Sequence, residues 1–111
     1  MKNSVTLIGH VGEAPVIRTT EGGKKVANFS LATNEKWTDD QNVKHDRTQW
    51  HRCVVWGRPA EIIEQYVLKG DKLGIDGRIE YREFTDKENV KRYATDIVVS
   101  EFYFLQPKKN P

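Results

Sequence analysis

Three tryptophans and one phenylalanine carry the chemical interest of this sequence: Trp37, Trp50, Trp56 and Phe84. Flat π-surfaces stack nucleobases, at about 1–3 kcal/mol per base. Trp50 and Trp56 are an even number of residues apart. On a strand they share one face with Arg52 and Val54, while His51, Cys53 and Val55 take the other. The second set suits a core and the first does not. Phe84 stands among Arg82, Glu83, Thr85 and Asp86, a setting too polar for a core aromatic; its alternative role is a cross-strand hairpin contact. Burial is the ordinary fate of a tryptophan. Three of them near strand ends, in a chain only 37% hydrophobic, favour a surface platform instead. Arg18, Arg52, Arg58, Lys69, Arg82 and Arg92 are the cations placed to hold phosphates beside it.

Other chemistries find little support. His51 and Cys53 lie two apart on a strand, with side chains about 7 Å apart by strand rise, which is poor for a nucleophile and its base. A single cysteine is too few for a structural zinc site, and His10 and His45 stand elsewhere. Gly22-Gly23-Lys24 lacks the spacing of a phosphate-cradling loop. The carboxylates are dispersed, with no apolar-flanked pair for acid–base work. We expect no catalytic residues, no metal and no cofactor.

Alternating hydropathy predicts the elements that position these residues. Val5 to Val11 reads as a first strand, with Gly9 and Gly12 as bends. Val16 to Thr20 continues in extended form, and Glu21-Gly22-Gly23-Lys24 is a hairpin turn. Val26 to Asn34 is a second long strand. Residues 38–48 are polar and read as a flexible hairpin loop. Trp50 to Trp56 is a third strand, ended by Gly57. Pro59 to Leu68 is the one helix, with Ile62, Ile63, Tyr66 and Val67 as its apolar stripe and Lys69-Gly70 as a cationic last turn and stop. Lys72 to Thr85 and Val90 to Leu105 are the last strands, joined by a turn at Asp86-Lys87-Glu88-Asn89. No internal repeat is apparent. Three strands, one helix and two strands suit a small closed barrel. The expected fold is all-β with one short helix: a five-stranded OB-fold barrel with extended β-hairpin loops.

A chain of 111 residues is one domain. We assign 1–105 to the barrel and 106–111 to a short disordered tail. No apolar run reaches the length of a membrane span, no signal peptide is apparent, and one cysteine fits a reducing cytoplasm. The net charge is only +2. Residues 1–34 carry four basic and two acidic groups, 35–57 four of each, and 58–111 ten of each. A polyanion would therefore be held by a groove that sorts charge in space, not by bulk attraction.

The chain resembles the bacterial single-stranded DNA-binding proteins of the homotetrameric type, from about Val5 to Val99. The motifs are Val5-Thr6-Leu7-Ile8-Gly9-His10-Val11-Gly12, Ala14-Pro15-Val16-Ile17-Arg18 and Val26-Ala27-Asn28-Phe29-Ser30-Leu31-Ala32-Thr33. Thr48-Gln49-Trp50-His51-Arg52-Cys53-Val54-Val55-Trp56-Gly57, Tyr66-Val67-Leu68-Lys69-Gly70 and Arg92-Tyr93-Ala94-Thr95-Asp96 follow in order. The resemblance implies an OB-fold and sequence-independent protection of single-stranded DNA in replication, recombination and repair. It places Trp37, Trp50, Trp56 and Phe84 on base-stacking positions. The family more often has Phe at the place of Trp56 and Trp at that of Phe84; both keep a π-face. His51 falls on a histidine that supports tetramer assembly, and the first strand, with Val5 and Leu7, falls on the subunit interface. Leu68, Glu80 and Glu83 stand where the family is commonly basic, so a less cationic groove is expected. The family's acidic C-terminal tip, which recruits replication and repair proteins, is absent from a sequence ending at Pro111, so such recruitment is doubtful. An OB-fold protein-interaction module of the replication restart machinery is the alternative. Its class tends to lack stacking tryptophans. A small hydrolase using His51 and Cys53 fails on geometry.

Overall fold

The computed structural model describes residues 2–105, and the tail assigned to 106–111 lies outside them. The elements are β1 (Val5–Val11), β2 (Val16–Thr19), β3 (Lys25–Thr38), β4 (Lys44–Trp56), α1 (Arg58–Tyr66), β5 (Lys72–Thr85) and β6 (Lys91–Phe104). Five strands close on themselves in the order β1-β5-β6-β4-β3, with β1 returning to β3; β2 adds to the free edge of β3. Closure rests on two short contacts. His10 and Val11 face Ala32 and Leu31 in antiparallel register, and Arg52 to Val54 run parallel to Asp96 to Val98. The expected five-stranded OB-fold barrel is the fold observed, with the extended Val16 segment paired as β2.

Odd positions of β3 and β4 point inward. Ala27, Phe29, Leu31, Cys53 and Val55 join Val11, Leu73, Ile75, Ile97 and Val99 in one core. Burying each larger aliphatic side chain contributes about 1.5–3 kcal/mol. At Gly9 and Gly77 a Cβ would sit 2.1 and 2.2 Å from the carbonyl oxygens of Ala32 and Val98, so only glycine permits the backbones to cross there. Gly77 also marks the break in register where β5 bends against β6.

The helix differs from its prediction. It ends at Tyr66, and Val67 is extended while its N–H still reaches the Ile63 carbonyl at 3.0 Å. Lys69 therefore lies beyond the helix, which has no basic residue in its last turn. Ala60, Ile63 and Val67 plug the barrel, whereas Ile62 and Tyr66 are exposed. A narrow line at i, i+3 and i+7 is all the barrel's end covers, so half of the expected stripe faces solvent. Lys25 Nζ donates to Glu64 at 2.9 Å and ties the helix to β3.

Residues 38–48 are not a flexible loop. β3 and β4 stay paired from Val26–Trp56 out to Thr38–Lys44 without a break in register. The outer part is an arm with both faces in solvent, so its strands need no apolar alternation. Cross-strand pairs hold it instead. Thr48 Oγ1 donates to Asn34 Oδ1 at 2.6 Å, and Arg47 pairs with Glu35 at 3.2 Å. β5 and β6 form a second arm. The arms bring the radius of gyration to 16.4 Å, against about 13 Å for a compact chain of this length.

Both arms turn through three residues. Asn42 and Asn89 take φ of 64° at the last loop position, as such hairpins require. Asp39 Oδ1 accepts the N–H groups of Gln41 and Val43, and Asp86 Oδ1 accepts those of Glu88 and Val90, all at 2.9 Å. The two tips share a sequence pattern, so the chain does contain a short internal repeat. Pattern reading misses it because it is nine residues long and lies in two segments of different length.

Candidate nucleic-acid interface

Register partners share a sheet face, so the pairings define the outer face of the barrel. On β4 it holds Trp50, Arg52, Val54 and Trp56. Arg52 is level with Asp96 of β6, and Asp96 with Glu80 of β5. Alternation then brings Arg82 and Phe84 of β5, and Ala94 and Arg92 of β6, onto the same face. Arg18 joins it through the row Arg18, Val26, Trp56 across β2, β3 and β4. Three aromatics and four arginines from distant parts of the chain are thus gathered on one surface.

Trp37, Trp50, Trp56 and Phe84 are between 41% and 63% exposed. None belongs to the core. Trp50 lies over Gly12, where a Cβ would come within 2.4 Å of its Cζ3. Its edge borders a shallow depression of about 470 Å³ lined also by Ile8, His10, Asn34, Thr48 and Lys72. The guanidinium of Arg82 lies 5.5 Å from the Phe84 ring centre.

Asp96 sits between the arginines and is only 8% exposed. Arg82 Nε donates to its Oδ2 at 2.9 Å. Arg52 Nε approaches Oδ1 at 3.4 Å, an ion-pair distance off the hydrogen-bonding direction. Oδ1 accepts no hydrogen bond among the described residues. Arg92 Nε donates to Asp86 Oδ2 at 2.9 Å. Arg52, Arg82 and Arg92 of this face are therefore held by carboxylates, whereas Arg18 of the same face, and Arg58 and Lys69, form no ion pair among the described residues.

Not every expected residue reaches this surface. Trp37 has the parity of Leu31, so it lies on the opposite face of its arm from Trp50. There it stacks on His45, with ring centres 5.2 Å apart and planes 17° apart, and Arg47 lies 5.4 Å from its ring centre. Arg58 opens the helix and Lys69 follows it, so neither belongs to a strand of this face. Val5 and Leu7 turn inward and pack against the core. The exposed side of β1 offers Thr6, Ile8 and His10 instead. His51 is partly buried, and its Nε2 lies 2.9 Å from Thr33 Oγ1.

The His51–Cys53 pair is not assembled. The Cys53 thiol points to the His51 carbonyl oxygen at 3.8 Å, and burial pushes its pKa up to about 12. Among the described residues no three His, Cys, Asp or Glu side chains gather as metal ligands. No helix among them is long and apolar enough to cross a membrane.

Sequence reading missed Asp96, His45 and Arg47 of this constellation, and also Tyr81 and Tyr93, exposed on the reverse face of the β5–β6 arm. Asp96 had a signal: a lone charge opening the apolar run Ile97-Val98-Val99. The others are polar or aromatic residues whose neighbours only strand pairing supplies.

An OB-fold barrel with an aromatic and cationic outer face is the class of protein defined by this geometry. The model of the single-strand binding protein family matches residues 2–105, and the chain belongs to that family. It is 44% identical over 107 residues to single-stranded DNA-binding protein 1 of Chlorobaculum tepidum, covering 96% of this chain and 66% of that one. It is 44% identical over 102 residues to the single-stranded DNA-binding protein of Rickettsia typhi, covering 90% of this chain and 67% of that one. The chain thus spans about two thirds of the length of these curated relatives. Its fold also matches a solved chain described as Plasmodium falciparum SSB complex with ssDNA. The TM-score is 0.90 and the identity 36%, with 96% of this chain and 97% of that one covered.

Proposed function

We propose that this protein binds single-stranded DNA without regard to sequence and protects it during replication, recombination and repair. The observation that carries this reading is the outer face itself. Exposed Trp50, Trp56 and Phe84 offer π-surfaces, and Arg18, Arg52, Arg82 and Arg92 stand among them. Stacking takes any base because every base has a π-face, and arginines grip the backbone common to all sequences. Trp37 serves a strand that passes around the β3–β4 arm. No covalent chemistry is involved, and a cytoplasmic, nucleoid-associated place follows from the ligand. The protein-interaction alternative has no use for half-exposed tryptophans and loses ground.

Assembly as a homotetramer is part of the same proposal. It is supported by exposed Ile8 beside Gly74, where Tyr103 and Leu105 also converge. On this reading the inward Val5 and Leu7 shape the interface from beneath, and His51 stiffens it through Thr33. Exchange of His51 for lysine is expected to shift sedimentation toward monomers; an unchanged tetramer would remove the residue from this role.

The test of strand binding is a titration with oligo(dT), read by tryptophan fluorescence at low and high salt. Quenching that saturates at a fixed nucleotide ratio is expected. Trp50→Ala should weaken binding by about 1–3 kcal/mol, or roughly 5- to 150-fold, while leaving the fold intact. A folded variant with undiminished affinity would refute the stacking role.

A further inference from the structure

The two arm tips are the same short sequence written twice. Trp37-Thr38-Asp39-Asp40-Gln41-Asn42-Val43-Lys44-His45 matches Phe84-Thr85-Asp86-Lys87-Glu88-Asn89-Val90-Lys91-Arg92, with Thr, Asp, Asn, Val and Lys identical in place. The structures match as well. In each, one aspartate oxygen closes the turn by accepting two N–H groups. The other oxygen holds a cationic or protonatable side chain six residues on: Asp39 Oδ2 meets His45 Nε2 at 2.7 Å, and Asp86 Oδ2 meets Arg92 Nε at 2.9 Å. That side chain is the register partner of the aromatic, Trp37 with His45 and Phe84 with Arg92. Each aromatic also has an arginine near its ring, Arg47 or Arg82.

We propose that the two tips are one nucleotide-contacting unit used twice: the aromatic before the aspartate takes a base, and the side chain after it, Arg92 or His45, donates to the adjoining phosphate. This deepens the strand-binding reading and rests on it. It adds His45 to the binding residues and gives the two arms different responses to pH.

The difference follows from the donors. Arg92 spends only Nε on Asp86, and its two amino groups remain for a phosphate at any pH. His45 spends Nε2 on Asp39. That hydrogen bond, followed by those from the turn N–H groups, holds the Asp39 carboxyl below the usual range. An ionised carboxylate needs a donor, so the neutral imidazole carries its proton on Nε2 and presents Nδ1 as an acceptor, which a phosphate repels. Only the imidazolium donates from Nδ1. Imidazoles as a class change charge between about pH 5 and 8. On its own face of the arm the charged neighbours of His45 are Asp39, Arg47 and Glu35, the last two joined in a 3.2 Å pair. Lys36, Lys44 and Asp46 lie on the reverse face.

The experiment measures oligo(dT) affinity against salt at pH 5.5 and pH 8.5 for the whole protein. One phosphate contact changes the log–log salt slope by about 0.7. The wild-type slope is expected to be steeper by about that amount at pH 5.5. His45→Arg should keep the steep slope at both pH values, which separates this site from His10 and His51. Arg92→His should widen the pH difference by about one further contact. A His45→Arg variant with the wild-type pH response would overturn the proposal, as would a wild-type slope indifferent to pH. Absence of oligo(dT) binding by the wild type at every pH would instead bring down the strand-binding reading itself, and this one with it.

Discussion

Asp96→Asn tests whether the outer face restrains its own cations. The change keeps the side chain's shape and leaves one amide oxygen to accept from Arg82 Nε, now 2.9 Å from Oδ2. It removes the single negative charge shared by Arg52 and Arg82. The triad's net charge rises from +1 to +2. One additional phosphate equivalent becomes available, so the log–log salt slope should steepen by about 0.7. Between about 50 and 200 mM salt the variant would then lose roughly 2.5-fold more affinity than the wild type, having bound several-fold tighter at the low end. Stability should move the other way. Arg82 keeps its hydrogen bond but loses the ionised partner, Arg52 loses an ion pair, and both guanidiniums are partly solvated, so the loss is about 1–2 kcal/mol. For a domain of this size that lowers Tm by roughly 5–10 °C. Fluorescence titration over a salt series and thermal unfolding give the two quantities. A slope equal to or shallower than the wild type's would refute the reasoning: Asp96 would then aim the arginines at the strand, not hold them back from it.

Other predictions concern the frame of the barrel. Gly77→Ala puts a Cβ about 2.2 Å from the Val98 carbonyl oxygen; backbone must move, and a loss of roughly 3 kcal/mol or more is expected in a denaturant titration. Cys53, buried with its thiol pKa pushed up to about 12, should resist iodoacetamide at pH 8 in the native protein and react once unfolded. The carboxyls of Asp39 and Asp86 are held below their ordinary value, Asp39 chiefly by His45 and Asp86 chiefly by the Val90 N–H. A depressed folded-state pKa contributes stability above the unfolded value of about 3.9 and loses it as pH falls through the folded one. Protection factors of the Val43 and Val90 amides should therefore fall below about pH 4 before those of the core residues change; tips as protected at pH 3 as at pH 6 would contradict this.

The sequence by itself determined the strands that bury one face. Alternation marks Leu31, Cys53 and Val55 as core because a pleated strand repeats every two residues. The same rule separated Trp50 and Trp56 from that core, and Pro59 and Gly57 bracketed the start of the helix. Where neither face is buried the rule is silent, and the outer β3–β4 arm read as a loop though it is paired throughout. The helix stripe was overread because periodicity cannot say how wide a surface the barrel offers it. Tertiary structure alone decided which distant residues meet. The closure of β4 on β6 sets Asp96 between Arg52 and Arg82, joining residues 30 or more positions from Arg52 through two strand pairings. Continuous register along the arm put Trp37 on the face opposite Trp50 and against His45 and Arg47. These outcomes depend on pairing between strands, which follows from the closed topology as a whole and not from any local run of residues.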